Sequence, residues 1–461
     1  MVIPGILELE LMAGKLMNSR NVSGKNTLIL TIAIGLTLTL YRLFQVRNIE
    51  PIFGPYDAPS YFDFVFSGGI RMPLITFIFS TIENHYAIVV FQTFVSGIAW
   101  TLLSASVVHL NKNVFVNIVS LTLIYSLGYS KQVVYVDSGI DSESLNISFL
   151  VILLSALIFS LKNSSTIAHI FLLIACILFA GIKSINGVTV LIPLMYLLIK
   201  ILRSGESTSK SKKILSVLII LISILSFYLF SQIQSTKLYN TAGLINSRLW
   251  DVPQWKEYTL EQGFPVQARS TFVRFTNRNL GSAPEAAVGS QPDYIKWYQS
   301  GGSNFLVKFM LTHPGYTILG PVFYPVFTKE LNLENTIWRG AADGILYFES
   351  REHQLAKIWP ESYIFWAKDR STGYIQVSIF LLIIAISLLA FKNKTNIQLS
   401  LRSLIIFLLF FTFSMGYFAW WFGSKPSDLG RHQFPFAVSL RIIAILSLTI
   451  LLNRLFKFRK N

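Results

Sequence analysis

The sequence predicts an all-α polytopic membrane protein of about ten transmembrane helices, with an extracytoplasmic, mixed but mainly helical cap inserted before the last three spans. Three observations carry this reading. Hydrophobic residues make up 52 % of the 461 and charged residues only 13 %, with Phe alone contributing 37, which is too apolar for a water-facing surface. Long apolar runs recur along the chain, and Lys and Arg collect in alternate loops between them. The formal charge of +16 invites a nucleic-acid partner, but residues 231–370 hold 14 Lys/Arg against 12 Asp/Glu, leaving 25 basic and 11 acidic residues for the rest. The excess therefore belongs to the membrane part, and no basic patch interleaved with exposed aromatics points to nucleic acid.

The apolar runs fall at 27–44, 87–109, 114–130, 145–161, 167–182, 188–202, 214–230, 375–391, 404–421 and 434–452. Lys15, Arg20, Lys25, Lys112, Lys162, Arg203, Lys210, Lys212, Lys213, Lys392, Lys394, Arg402, Arg454, Lys457, Arg459 and Lys460 then share one side, which the positive-inside rule makes cytoplasmic. Residues 1–25 have acids and a basic end but no long apolar stretch before a small-residue cleavage site, so no removable signal peptide is expected. Cys176, the single cysteine, lies inside a span and excludes an intramolecular disulfide.

Three parts follow. Residues 1–230 form an N-terminal transmembrane module, 231–373 a cap and 374–461 a C-terminal transmembrane module. The polar stretch 202–213 reads as a solvated cytoplasmic linker. Trp250, Trp255, Trp297, Trp338, Trp359 and Trp366 mark the cap as folded. Within it, 305–327 is apolar but broken by Pro314 and Pro321, and reads as a pair of interfacial helices.

Four polar constellations sit on the opposite, outer side. The first is Tyr56-Asp57-Ala58-Pro59-Ser60-Tyr61 with Gly68-Gly69-Ile70-Arg71-Met72-Pro73-Leu74. Asp57 and Tyr61, four apart, share one face of a short helix, and Asp-Ala-Pro is equally a sound helix start. The second is Asp137-Ser138-Gly139-Ile140-Asp141-Ser142-Glu143-Ser144-Leu145, whose acids either serve chemistry or complement a helix N-terminus. The third is the turn Gly181-Ile182-Lys183-Ser184-Ile185-Asn186-Gly187, where an outer Lys either snorkels or meets a phosphate. The fourth is Asp428-Leu429-Gly430-Arg431-His432-Gln433-Phe434-Pro435 at the mouth of the last span, with the planar fork of Arg431 suited to phosphate oxygens and His432 either structural or a donor. Arg441 lies about two turns further in, and an ionisable residue inside a span is a functional hypothesis by default. Carboxylates at Asp57 and on the second loop could hold Mg²⁺ or Mn²⁺. Walker, zincin and nucleophile-elbow motifs are absent from the sequence.

One span, an Asp-x-x-x-Tyr loop, a Gly-Gly-x-Arg-x-Pro-Leu turn and the closing Asp-x-x-Arg-His signature together resemble the GT-C class of polyprenyl-phosphate-sugar-dependent glycosyltransferases, the protein mannosyltransferase and aminoarabinose transferase type. The resemblance nominates Asp57 as the catalytic base, with Asp137 and Glu143 as further acids near the reaction centre. It gives Tyr61, Arg71, Lys183, Arg431, His432 and Arg441 to substrate binding. It implies sugar transfer with inversion from a polyprenyl-phosphate donor to a glycan, lipid-linked or protein acceptor, outside a bacterial inner membrane. The same motifs leave two alternatives. An O-antigen polymerase or ligase would use Arg269, Arg274 and Arg278 of the large loop, and a flippase or transporter of lipid-linked sugars would place its ionisable residues near the midplane.

Overall fold

The computed structural model describes residues 24–46, 51–53, 61–62, 65–66, 69–70, 72–111, 113–140, 142–162, 165–203, 214, 217–225, 234–278, 284–323, 365, 370–390, 396–422 and 426–458. Helix dominates throughout. Among these residues six helices are long and apolar enough to cross a membrane: Asn26–Val46, His85–Leu110, Glu143–Leu161, Gly373–Ala390, Leu401–Trp421 and Gln433–Phe456. That architecture fits a multi-pass membrane protein.

The sequence draws ten spans, and the difference lies in the short ones. Val114–Gly128 and Thr166–Ala180 are 15-residue helices. At 1.5 Å per residue each covers about 22 Å, short of a hydrocarbon core of about 30 Å. The expected span 188–202 is divided between Ser184–Thr189 and Leu191–Arg203. Of 214–230, the structure describes residue 214 and a helical stretch over 217–225. Local chemistry starts several of these helices: Asn84, Asn113 and Ser165 each accept from a backbone N–H three residues on, and Pro73 opens Pro73–Ile82.

One hydrophobic core runs through first-half and last-half helices alike, from Val46 to Leu446. Glu143–Lys162 is its central element, packed against His85–Leu110, Thr166–Ala180 and Pro426–Phe458. Polar clasps join the halves, with Ser120 Oγ 2.7 Å from Thr449 Oγ1. Gly24–Val46 and His85–Leu110 meet at a seam of small residues. A Cβ at Gly35 would lie 2.3 Å from Thr101 Oγ1, and one at Gly97 would lie 2.4 Å from Thr39 Oγ1, so only glycine fits at either.

A second, smaller core forms from the helices between Gln234 and Phe323. Pro253, Pro284 and Pro292 begin three of them, and Val252 and Gln291 ahead of two are extended, as a residue before proline prefers. Phe264, Tyr294, Trp297, Phe305, Phe309 and Tyr316 fill the interior edge to face. This body is held on the end of Asn396–Phe422 by hydrogen bonds. Trp420 Nε1 donates to the Tyr316 carbonyl at 3.1 Å, Trp421 Nε1 to Thr317 at 3.0 Å and Tyr417 to Ile318 at 3.0 Å. Arg248 Nη1 returns a bond to the Trp420 carbonyl at 2.7 Å. Within 305–327, expected to form paired interfacial helices, Phe305–Thr312 is α-helical, Gly315–Leu319 is a π turn, Gly320–Phe323 is a short helix, and 324–327 lie outside the described residues.

Candidate functional site

The second loop becomes the hub of one end of the bundle because its backbone is captured from two sides. Ile52–Phe53 pairs in parallel with Gly139–Ile140, Ile52 opposite Gly139 and Phe53 opposite Ile140. Gln92, inside His85–Leu110, donates through Nε2 to the Asp137 carbonyl at 3.0 Å and the Gly139 carbonyl at 2.7 Å. First and second loops are thus stitched together directly.

Two ion pairs stand on this hub, one buried and one half-buried. Asp137, at the end of Lys131–Asp137, takes Arg42 on one carboxylate oxygen and the Ser144 hydroxyl on the other at 2.7 Å. Arg42 comes from the first span, also donates to the Gly128 carbonyl at 3.1 Å, and lies over the Tyr129 ring at 5.1 Å. Burial pushes the Asp137 carboxyl above its usual range, opposed by the Arg42 guanidinium and the Ser144 and Ser96 hydroxyls. Glu143, in the first turn of Glu143–Lys162, is paired with Lys183, the residue ahead of Ser184–Thr189. The turn carrying Lys183 is itself pinned: Asn186 Nδ2 donates to Asn146 Oδ1 at 2.7 Å and to the Phe179 carbonyl at 2.8 Å.

Tyr61 joins the first loop to this network. Its ring is buried edge-on against Phe79 at 5.9 Å, its hydroxyl donates to Ser142 Oγ at 3.2 Å, and Ser142 donates to Glu143 Oε2 at 3.3 Å. The chain Tyr61, Ser142, Glu143, Lys183 therefore crosses three loops. Lys183 is its most exposed member, at 11 %, and an ammonium has three donors of which Glu143 uses one.

Of the residues nominated from sequence, Tyr61, Glu143 and Lys183 are brought together, and Asp137 stands beside them on its own cation. Asp57, Arg71 and Asp141 lie outside the described residues. Both neighbours that frame Asp57, Phe53 and Tyr61, are anchored on the second loop. Arg431 and His432 fall within Pro426–Phe458, their side chains outside the description. Arg441 is buried in the same helix and donates to the Phe365 carbonyl at 2.7 Å and the Ala437 carbonyl at 2.8 Å, with its guanidinium over the Phe380 ring. In the smaller helical body, Arg269 donates to the Asn246 carbonyl and reaches Asp251 at 3.4 Å, and Arg274 lies over Phe275. Among the described residues no group of three His, Cys, Asp or Glu could hold a metal; Asp57, on which that expectation centred, is not among them.

Arg42 and Gln92 are the residues of this cluster that motif reading passes over. The signal for Arg42 was available, since the rule that flags Arg441, an ionisable group inside an apolar run, flags it equally. Compared with models of known protein families and with curated proteins, the chain matches none.

Proposed function

We propose that the chain is a membrane glycosyltransferase that moves a sugar from a polyprenyl-phosphate donor to an acceptor hydroxyl, with inversion. One observation carries the reading. Three loops far apart in sequence meet at the second loop, where two carboxylates stand on two cations in adjoining hydrogen-bonded clusters, Arg42–Asp137–Ser144 and Tyr61–Ser142–Glu143–Lys183. A lipid-phosphate sugar enzyme needs such a meeting of acid and cation at the end of a helical bundle.

In this mechanism Asp57 is the base that takes the acceptor proton as its oxygen attacks the anomeric carbon, and cations receive charge on the departing phosphate. Lys183 suits that second role because Glu143 orients its amine while leaving donors over. Asp137 and Glu143, each engaged on both carboxylate oxygens, suit positioning better than proton transfer. Arg431, His432, Arg71 and Tyr61 complete donor binding, the cap faces the acceptor, and the reaction lies on the outer face of a bacterial inner membrane.

Phosphate affinity checks the Lys183 assignment. Lys183→Met is expected to weaken binding of a short-chain polyprenyl phosphate by roughly 1.5 to 3 kcal/mol, one charge-assisted contact, whereas Glu143→Gln keeps the affinity or raises it. Equal affinity in wild type and Lys183→Met would place the phosphate elsewhere. The reaction itself is read from transfer of labelled sugar out of polyprenyl phosphate to endogenous glycans in membranes. Proteoliposomes that carry the lipid-linked sugar across the bilayer without consuming it would replace the enzyme with a transporter.

A further inference from the structure

We infer that the cap docks on the bilayer surface through a bare apolar ridge flanking its His313–Pro314 turn. The proposal rests on the chain being a multi-pass membrane protein and is independent of the chemistry assigned to it.

Phe305–Thr312 is apolar on two opposite faces. Phe305 and Phe309 enter the cap core, while Val307 and Leu311, one turn apart on another stripe, are 53 % and 78 % exposed. Past the turn Ile318 and Leu319 are 57 % and 50 % exposed. Single exposed apolar residues are ordinary, but four around one turn form a patch of the kind that marks an interaction surface.

What covers it is indicated by what it continues. On Asn396–Phe422, Ile406 and Phe410 are 49 % and 61 % exposed, and the same stripe ends at Tyr417 and Trp421. Those two side chains donate to the carbonyls of Ile318 and Thr317, so the face a span presents to lipid runs directly onto the ridge. Tyr and Trp are also the residues that favour the boundary between acyl chains and headgroups. Lys308, exposed beside Val307, supplies a cation at the level where lipid phosphates lie. The occupant is therefore the bilayer, with the ridge at the acyl boundary and Lys308 among the headgroups.

The test places bimane on single cysteines at Leu311→Cys and Ile318→Cys, with Lys296→Cys on an exposed face of another cap helix as reference. Cys176 is fully buried, and the unsubstituted chain is the control for labelling there. In vesicles of phosphatidylcholine and phosphatidylglycerol, brominated lipid is expected to quench both ridge positions several-fold more than position 296, and aqueous iodide to do the reverse. Equal iodide quenching at all three positions overturns the proposal. Protection from both quenchers also overturns it, in favour of a second copy if the protection disappears on dilution into excess lipid and of cover by this chain if it does not.

Discussion

Exchanging Asp57 for asparagine is expected to leave a folded protein that binds its lipid donor but transfers sugar about 10²- to 10⁴-fold more slowly, the usual cost of losing a positioned base. The substitution is chosen for what it keeps. Asparagine preserves size and an acceptor oxygen able to cap a helix, so a purely structural Asp57 predicts wild-type turnover. The neighbouring anchors are also untouched: Phe53 pairs through its backbone with Ile140, and Tyr61 through its hydroxyl with Ser142. Loss of rate then reports on the carboxylate and not on a collapsed loop. Asp57→Glu should recover part of the activity, since the base returns with its reach altered. Turnover of Asp57→Asn at the wild-type rate would leave Asp57 as a cap and move the search for a base to Glu143 and Asp137.

The largest effect on stability is expected at Arg42. Arg42→Met keeps length and apolar packing but strands the Asp137 carboxylate, which is 2 % exposed and retains Ser144. Removing one partner of a buried pair costs about 3 to 5 kcal/mol, because the charge left behind has neither water nor counterion. Asp137→Asn in the Arg42→Met background should restore much of that loss, since a neutral amide leaves no stranded charge. A reversible unfolding titration in mixed micelles measures all three forms. A change below about 0.5 kcal/mol in Arg42→Met, the scale of an ordinary surface substitution, would remove the ion pair from any part in holding the loop.

What was legible in the sequence followed physical length scale. Spans such as His85–Leu110 and Gln433–Phe456 announce themselves because composition alone must satisfy a bilayer over twenty-odd residues. Thr166–Ala180 and Val114–Gly128 are less clear-cut: each is apolar throughout but only 15 residues long, so composition marks an apolar helix without fixing whether it crosses the bilayer. At the site, clustered acids drew attention to the second loop, which the structure makes a meeting point of the first loop and the Lys183 turn. Their partners were not legible, because pairing is set by helix packing between residues with no sequence relation. Asp137 meets Arg42 from 95 residues away and Glu143 meets Lys183 from 40. Lys183 stood out as an isolated cation and is half of a pair.

That separation bears on how the protein is made. Arg42 lies in a helix made before its carboxylate, which is encoded 95 residues later. Until then Gly24–Val46 carries a cation whose carboxylate has not yet been made. Arginine near the end of a hydrophobic helix can wait at the water boundary, its side chain stretched toward the headgroups. The glycine seam with His85–Leu110 is the step that draws it inward, since Gly35 and Gly97 let the two helices close and set the height of Arg42 two turns further on. Arrival of Lys131–Asp137 then neutralises a charge already in place. The order of synthesis, first helix, seam, second loop, is thus also the order in which the site can assemble, and a nascent chain halted before Asp137 would hold its first helix less firmly than one halted just after.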